Sequence, residues 1–334
     1  MKNFAVAAAR PALARRRLIG ATLAGLTLQA AGASAQGRGG VTRVVVPYAP
    51  GGTNDVTARI LAPLVGERLG QRWVIENRSG ANGAIGAAAV ARTAPDGTTL
   101  LYANDVLAAL KFVQRGVSFD IVTDFSPVVR AMTLDFVLVG SPRVVRQPDF
   151  AALAEAIRRR PEDFPFASST LGAVGQLAPA ALAQQLGVQA TIIGYRGSGP
   201  ALNDLVAGNV ALGVLPVGLV MPMLREGQLK AFATTSARRL RLVPDVPTIA
   251  ESGFPSMVFV GWNAIWGPAN LPAQTVSELH RAITDTLRVP AVHDRLVELG
   301  TTPLFESPAE FAEALRQETE RARAIVEVAG IQPE

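Results

Sequence analysis

Short β-branched runs alternate along this chain with longer amphipathic stretches, and glycine, proline or a capping residue marks each junction. A period that switches in this way predicts an α/β fold, with strands covered by helices. Residues 41–47 (VTRVVVP) read as a buried parallel strand, followed by a helix over 56–69 with Ile60, Leu61, Leu64, Val65 and Leu69 on one face. Further strands are expected at 73–76, 98–103, 136–139, 166–168, 191–194, 210–214 and 230–234, and a small Ala-rich helix at 83–92. From about 272 to 329 the pattern becomes consecutive helices. The last opens on Ser307-Pro308-Ala309-Glu310, the signature of a capping box with proline in the first turn.

The first thirty-five residues carry no acidic group and run from a basic stretch (Lys2, Arg10, Arg15, Arg16, Arg17) through an apolar one to Ala33-Ser34-Ala35. These are the components of an export signal, with cleavage expected after about Ala35 and release into the periplasm. Arg15-Arg16-Arg17-Leu18-Ile19 also fits a twin-arginine arrangement. Removing the segment changes the meaning of the charge. The whole chain is +5, but from Gln36 onward 27 basic residues face 27 acidic ones. That balance gives no footprint for nucleic acid and no polybasic membrane patch.

The chain has no cysteine and two histidines, which excludes disulfides and thiolate chemistry and leaves few metal ligands. No nucleophile elbow, phosphate loop or H-E-x-x-H motif is present, and 80–86 fails the dinucleotide fingerprint at its second glycine. His280 and His293 lie among charged residues of the C-terminal helices and read as exposed or structural. No catalytic residue, cofactor or metal is therefore expected.

In open α/β sheets, ligands bind outside the carboxyl ends of the strands, so the loops there are the informative ones. Three stand out. Pro50-Gly51-Gly52-Thr53-Asn54-Asp55 combines glycines that let backbone approach a ligand with a helix start whose N–H groups suit a carboxylate; the same glycines also suit a plain tight turn. Ser168-Ser169-Thr170-Leu171-Gly172 clusters hydroxyls ahead of a helix at 176–186, as a ligand contact or a simple cap. In the third, 194–200, Tyr195 can wall a pocket, Arg196 reads as a solvated surface residue, and the next helix carries Asp204.

Several blocks in order carry a resemblance: PYAPGGTNDVTAR (47–59), LGQRWVIENRSGANGAIGA (69–87), APDGTTLL (94–101), DFSPV (124–128), GYRGSGPALNDLVAG (194–208) and TSARRLRLVPDVPTIAESGFP (235–255). The chain resembles the tripartite tricarboxylate transporter substrate-binding proteins, the Bug-type family, over nearly its whole length after the signal. The resemblance implies a two-lobed, periplasmic-binding-protein-like fold of type II. It implies two Rossmann-like lobes, a hinge crossed twice and a C-terminal helical segment packed on the first lobe. Lobe 1 is expected to comprise 36–139 plus 236–334, and lobe 2 140–235, with crossings at 136–139 and near 235. The implied function is capture of a small carboxylated solute by hinge closure, without catalysis, and its delivery by a monomer to large and small membrane transporter subunits. A sensor partner of a signalling receptor and an exported hydrolase are the alternatives.

The implied contacts are backbone amides and hydroxyls from one loop of each lobe: Tyr48, Pro50, Gly51, Gly52, Thr53, Asn54 and Asp55 on one side, Ser168, Ser169, Thr170 and Gly172 on the other, joined by Tyr195 and Asp204. The chain departs from the family pattern at Gly175-Gln176-Leu177, where His-Leu is usual, at Ala211, where Asp is frequent, and in a shortened stretch between Tyr102 and Asp124.

Overall fold

The computed structural model describes residues 40–168, 170–195 and 198–333; the expected export signal, Ser169 and Arg196 lie outside them. In chain order the elements are β1 (Val41–Val46), α1 (Thr53–Leu69), β2 (Arg72–Asn77), α2 (Ala84–Ala91), β3 (Thr99–Asn104), α3 (Val106–Val113), β4 (Phe125–Leu134) and β5 (Phe136–Gly140). They continue with α4 (Phe150–Arg159), β6 (Phe166–Ser168), α5 (Val174–Leu186), β7 (Ile192–Gly194), α6 (Ser198–Ala207), β8 (Leu212–Pro216), α7 (Val217–Arg225) and β9 (Lys230–Thr234). The last are β10 (Gly261–Pro268), α8 (Ala273–Leu287), α9 (Pro290–Glu298), β11 (Thr301–Pro303) and α10 (Pro308–Val328).

Two mixed sheets result, each the centre of one lobe. The first has the order β11-β4-β10-β3-β1-β2 and the second β7-β6-β8-β5-β9. Val44, Val45 and Val46 of β1 are all buried, the pattern of a parallel strand covered on both faces. One face packs on α1 and α8 through Leu61, Val65 and Ile283. The other packs around Trp262, Trp266 and Phe311, whose rings lie 5.4–5.7 Å apart in edge-on and tilted contacts.

Three strands escape the sequence reading. β10 (GWNAIWGP) lies between β3 and β4 with all eight residues buried, yet it has neither a β-branched run nor an alternation to announce it. β4 carries Pro127 and Arg130 and is recognisable only through its pairing with β10 and β11. β11 also interrupts the C-terminal region expected to be wholly helical.

The lobe boundaries need correction. The strand over 136–139, expected in lobe 1, pairs with β8 and β9 in the second sheet, so the first crossing is the single residue Asp135. After β9 the chain does not return at once: Thr234 bridges Thr248, and Ile249, Met257 and Phe259 pack into the second lobe's core. Phe259 N–H donates to the Thr235 carbonyl at 2.8 Å, and Thr235 Oγ1 donates to the Phe259 carbonyl at 2.5 Å. The second crossing is therefore Val260, directly before β10. Gly261 pairs in register with Leu134, so the two crossings run side by side.

The C-terminal helix packs on the first lobe as expected and also reaches the second. Phe311 and Leu315 sit in the first lobe's aromatic cluster, whereas Ala322, Ile325 and Val326 belong to a cluster that joins Ala109 and Val113 of α3 to α5 residues of the second lobe. Its expected capping box is present: Ser307 Oγ accepts from Glu310 N–H and the Glu310 carboxylate accepts from Ser307 N–H.

A Cβ on Gly261 would stand 2.7 Å from the Phe136 ring, closer than side chains pack. Gly261→Ala is expected to lower stability by about 1–3 kcal/mol, the usual cost of overpacking, as measured by urea denaturation of parent and variant.

Candidate functional site

Strands β1, β2 and β3 run parallel, so the segments following Val46, Asn77 and Asn104 emerge from one edge of the first sheet. In the second sheet β6 runs parallel to β7 and β8, so Ser168 and Gly194 likewise end on one edge.

The first loop is held by Asp55. Its carboxylate is buried and accepts from Gly51 N–H at 2.9 Å, from Arg59 Nε at 3.0 Å and from Asn77 Nδ2 at 3.0 Å. Asn77 Nδ2 also donates to the Tyr48 carbonyl at 3.1 Å, and Arg59 Nη2 donates to Asn77 Oδ1 at 3.0 Å. Burial alone would raise the Asp55 pKa, but Arg59, the Gly51 amide and Asn77 outweigh it and hold the carboxyl at about 2. Asp55 is thus turned inward to shape the loop. Pro50, Gly51, Gly52 and Thr53 are exposed, and Gly52 gives α1 no side-chain cap. Asn54 is buried, with Oδ1 lacking a hydrogen-bond partner.

Tyr48 is partly buried, and its hydroxyl donates to Asn104 Oδ1 at the end of β3. Burial, then the charge of Asp105, raises its phenol pKa. Asp105, the residue before α3, is itself pushed up to about 7 by burial and by the nearby charge of Glu318.

In the second lobe, Ser168 is buried and its Oγ donates to the Thr170 carbonyl at 3.3 Å. Gly172 has φ +75°, and a Cβ there would meet Ala109 and Val113 of α3 at 3.1 and 3.2 Å, so this loop seats directly against the first lobe. Gln176, at the departure from the family's usual His, is buried; its Oε1 accepts from Gly172 N–H at 2.7 Å. The loop is therefore secured from within by its own helix. Tyr195 O–H donates to Asp204 Oδ2 at 2.8 Å, and Asn209 Nδ2 donates to Oδ1 at 3.0 Å. Burial and then the Asp204 carboxylate push the Tyr195 phenol up to about 12. Asn209 and Tyr195 in turn lower the Asp204 pKa.

Ser168, Thr170 and Tyr195 share a cavity of about 1180 Å³ with Leu171, Gln176 and, from the first lobe, Asn82. Residues 50–55 border neither this cavity nor a second one of about 680 Å³, which lies along the crossings and is lined by Gly172, Asp105, Asp135, Arg130, Glu318 and Arg321 among others. The structure thus gathers the second-lobe residues and brings Asn82 to them, and leaves the first loop on its own lobe. Sequence reasoning passed over Asn82, Asn77, Arg59 and Asp105, and marked Gln176 only as a departure from the family pattern. The signal for Asn82 was its place in a glycine-rich loop after a parallel strand, the criterion already applied to the other loops. His280 Nε2 lies 2.8 Å from the Glu306 carbonyl, a structural contact. Among the described residues no cluster of His, Asp or Glu could hold a metal ion.

The family profile described as tripartite tricarboxylate transporter family receptor matches residues 57–331. The chain belongs to this family. It is 33% identical over 290 residues to BugT of Bordetella pertussis, covering 86% of this chain and 89% of BugT. Among solved structures, R. palustris Rpa4515 with adipate superposes with a TM-score of 0.77 at 31% identity, covering 88% of this chain and 99% of that one. MatC from Rhodopseudomonas palustris with bound malate gives a TM-score of 0.74 at 30% identity, with 86% and 99% covered. Members of the family are periplasmic solute-binding proteins, and these likenesses bear out the two-lobed α/β architecture expected from sequence. No described helix is long and apolar enough to cross a membrane.

Two outcomes follow from the charges. Asp55 has a folded pKa below its ordinary value, so its stabilisation is complete above about pH 4 and is lost as pH falls toward 2. Asp55→Asn should cost about 2 kcal/mol at pH 7 and flatten the acid limb of the stability profile, measured by denaturation from pH 2 to 7. Asp105 has the opposite sign. Its folded pKa is raised, so stability falls as pH climbs from about 4 to about 7 while only the unfolded chain ionises. Asp105→Asn should be the more stable protein at pH 8, by about 1 kcal/mol or more, with the advantage gone at pH 4.

Proposed function

We propose that the chain is an exported receptor that captures a small carboxylate-bearing solute between its lobes and presents it to a membrane transporter of the tripartite tricarboxylate type. The observation that carries this reading is the start of α1. It stands at the carboxyl end of an interior parallel strand, has no side-chain cap and is preceded by two exposed glycines, the first of them tied down by Asp55. Its first N–H groups are preorganised donors at the positive end of a helix dipole. On closure of the lobes, the segment carrying Ser168, Ser169, Thr170 and Gly172 would be brought to a carboxylate taken there, with Tyr195 and Asn82 along the cavity wall and Asp204 holding the Tyr195 hydroxyl. Adipate and malate in the two R. palustris relatives support the ligand class.

Capture requires no bond to break. A ligand that touches both lobes favours the closed arrangement by its differential affinity for that state, and the membrane partner reads the closed form. In this reading the protein acts as a monomer, its partners are the large and small transporter subunits, and residues 1–35 are removed on export.

A thermal-shift screen of the chain from Gln36 onward against C3 to C8 mono-, di- and tricarboxylates tests the proposal. A ligand at about 100 times its Kd should stabilise the protein by roughly 2.7 kcal/mol. Thr53→Trp should abolish that shift while keeping the parent's unliganded melting temperature. A variant that binds as well as the parent would remove the first loop from the site, and turnover of a carboxylate ester would make the protein an enzyme.

A further inference from the structure

The two crossings are one residue wide each and adjacent, a geometry that by itself would let the lobes swing freely. A third element spans the same junction. On α10, Glu318 and Arg321 stand three residues apart and so share one face of the helix. Glu318 reaches into the first lobe, where its carboxylate accepts from Arg130 Nη1 at 2.8 Å and from the Trp262 indole N–H. Arg130 is fixed in turn by Glu306, at 2.6 and 2.8 Å. Arg321 reaches the other way. Its guanidinium donates to the carbonyls of Val258 at 2.7 Å and Ser256 at 2.9 Å and lies 3.9 Å over the Phe259 ring, on the segment that the second lobe holds through Thr235.

The apolar contacts change lobes at the same turn. Phe311 and Leu315 before it are in the first lobe's core, and Ala322, Ile325 and Val326 after it enter the cluster where α5 of the second lobe meets Ala109 and Val113 of α3. We propose that α10 is a strut joining the lobes, with the turn from Glu318 to Arg321 as its pivot and Arg321 as the clamp that limits how far the ligand-free protein opens. Opening around the crossings must strain either the Glu318 tie to the first lobe or the Arg321 and C-terminal contacts with the second, and Arg321 lines the same cavity as the hinge residue Val260. The consequence for solute capture rests on the function proposed above; the strut itself does not.

The absence of cysteine allows two labels to be placed cleanly. Glu67→Cys on α1 and Gln185→Cys on α5 are both at exposed positions and lie in different lobes. Pulsed electron paramagnetic resonance of the spin-labelled, ligand-free protein should give one narrow distance distribution. Arg321→Met removes the two donors and keeps an apolar stem over Phe259; it should widen that distribution about twofold and shift it to longer separations. Glu318→Gln, which loosens the tie to the first lobe, should widen it too. Arg323→Ala, on the same helix but paired with Glu320 and Glu327 of that helix, should leave it unchanged. If Arg321→Met does not unfold cooperatively, Arg321→Lys, able to reach a single carbonyl, is expected to give an intermediate width.

A broad distribution in the parent, or a parental one in both Arg321→Met and Glu318→Gln, would overturn the strut. Because no ligand is present, a protein that binds no carboxylate still returns a result here, so failure of the strut and failure of the ligand assignment are told apart.

Discussion

Everything about this molecule turns on the narrowness of the junction between its lobes. Asp135 and Val260 each stand alone between segments that belong to different sheets or their tethered extensions, and they lie next to each other because Gly261 pairs with Leu134. Two extended peptides side by side resist shear and permit rotation, so whatever fixes the angle between the lobes must come from contacts outside the crossings. Gly261 is the tightest point. The Phe136 ring occupies the space a side chain would need, which locks the start of β10 against the start of β5.

The first loop follows a second constraint. Glycines that leave backbone amides free also leave the loop without a preferred conformation, and a floppy loop could not serve the proposed capture without paying ordering entropy. The Asp55, Arg59 and Asn77 network resolves this by attaching Gly51 and the Tyr48 carbonyl to two separate elements, α1 and β2. In the role proposed for this loop, an acidic residue beside a bound carboxylate is tolerable because its charge is met by Arg59 and by donors on both oxygens. On the other lobe, Gln176 does for Gly172 what Asp55 does for Gly51, with a neutral side chain.

How much of this was legible in the sequence depended on whether the signal was local. The capping box of α10, the buried run of β1 and the glycine-rich loop after it are written in adjacent residues, and each is found where its pattern predicts. β10 was not legible. Gly-Trp-Asn-Ala-Ile-Trp has no period of two, and it becomes a strand because β3 and β4 supply partners on both sides and the aromatic cluster accepts both indoles. The lobe boundary shifted for the same kind of reason. Residues 136–139 read as a strand in either sheet, and only pairing with β8 and β9 assigns them.

The α/β alternation, the absence of thiolate chemistry and the positions of the loops after the parallel strands are all carried by the chain's own residue order, because composition and short-range periodicity follow from local sterics and burial. Which carboxylates are free to act is a matter of long-range packing. Asp55 and Asp204 read alike as candidates in the chain, yet one is buried among Arg59 and Asn77 and the other is held by Tyr195 and Asn209. Packing also makes α10 belong to both lobes, since a helix's partners at its two ends depend on where distant segments lie and leave no trace in its own period.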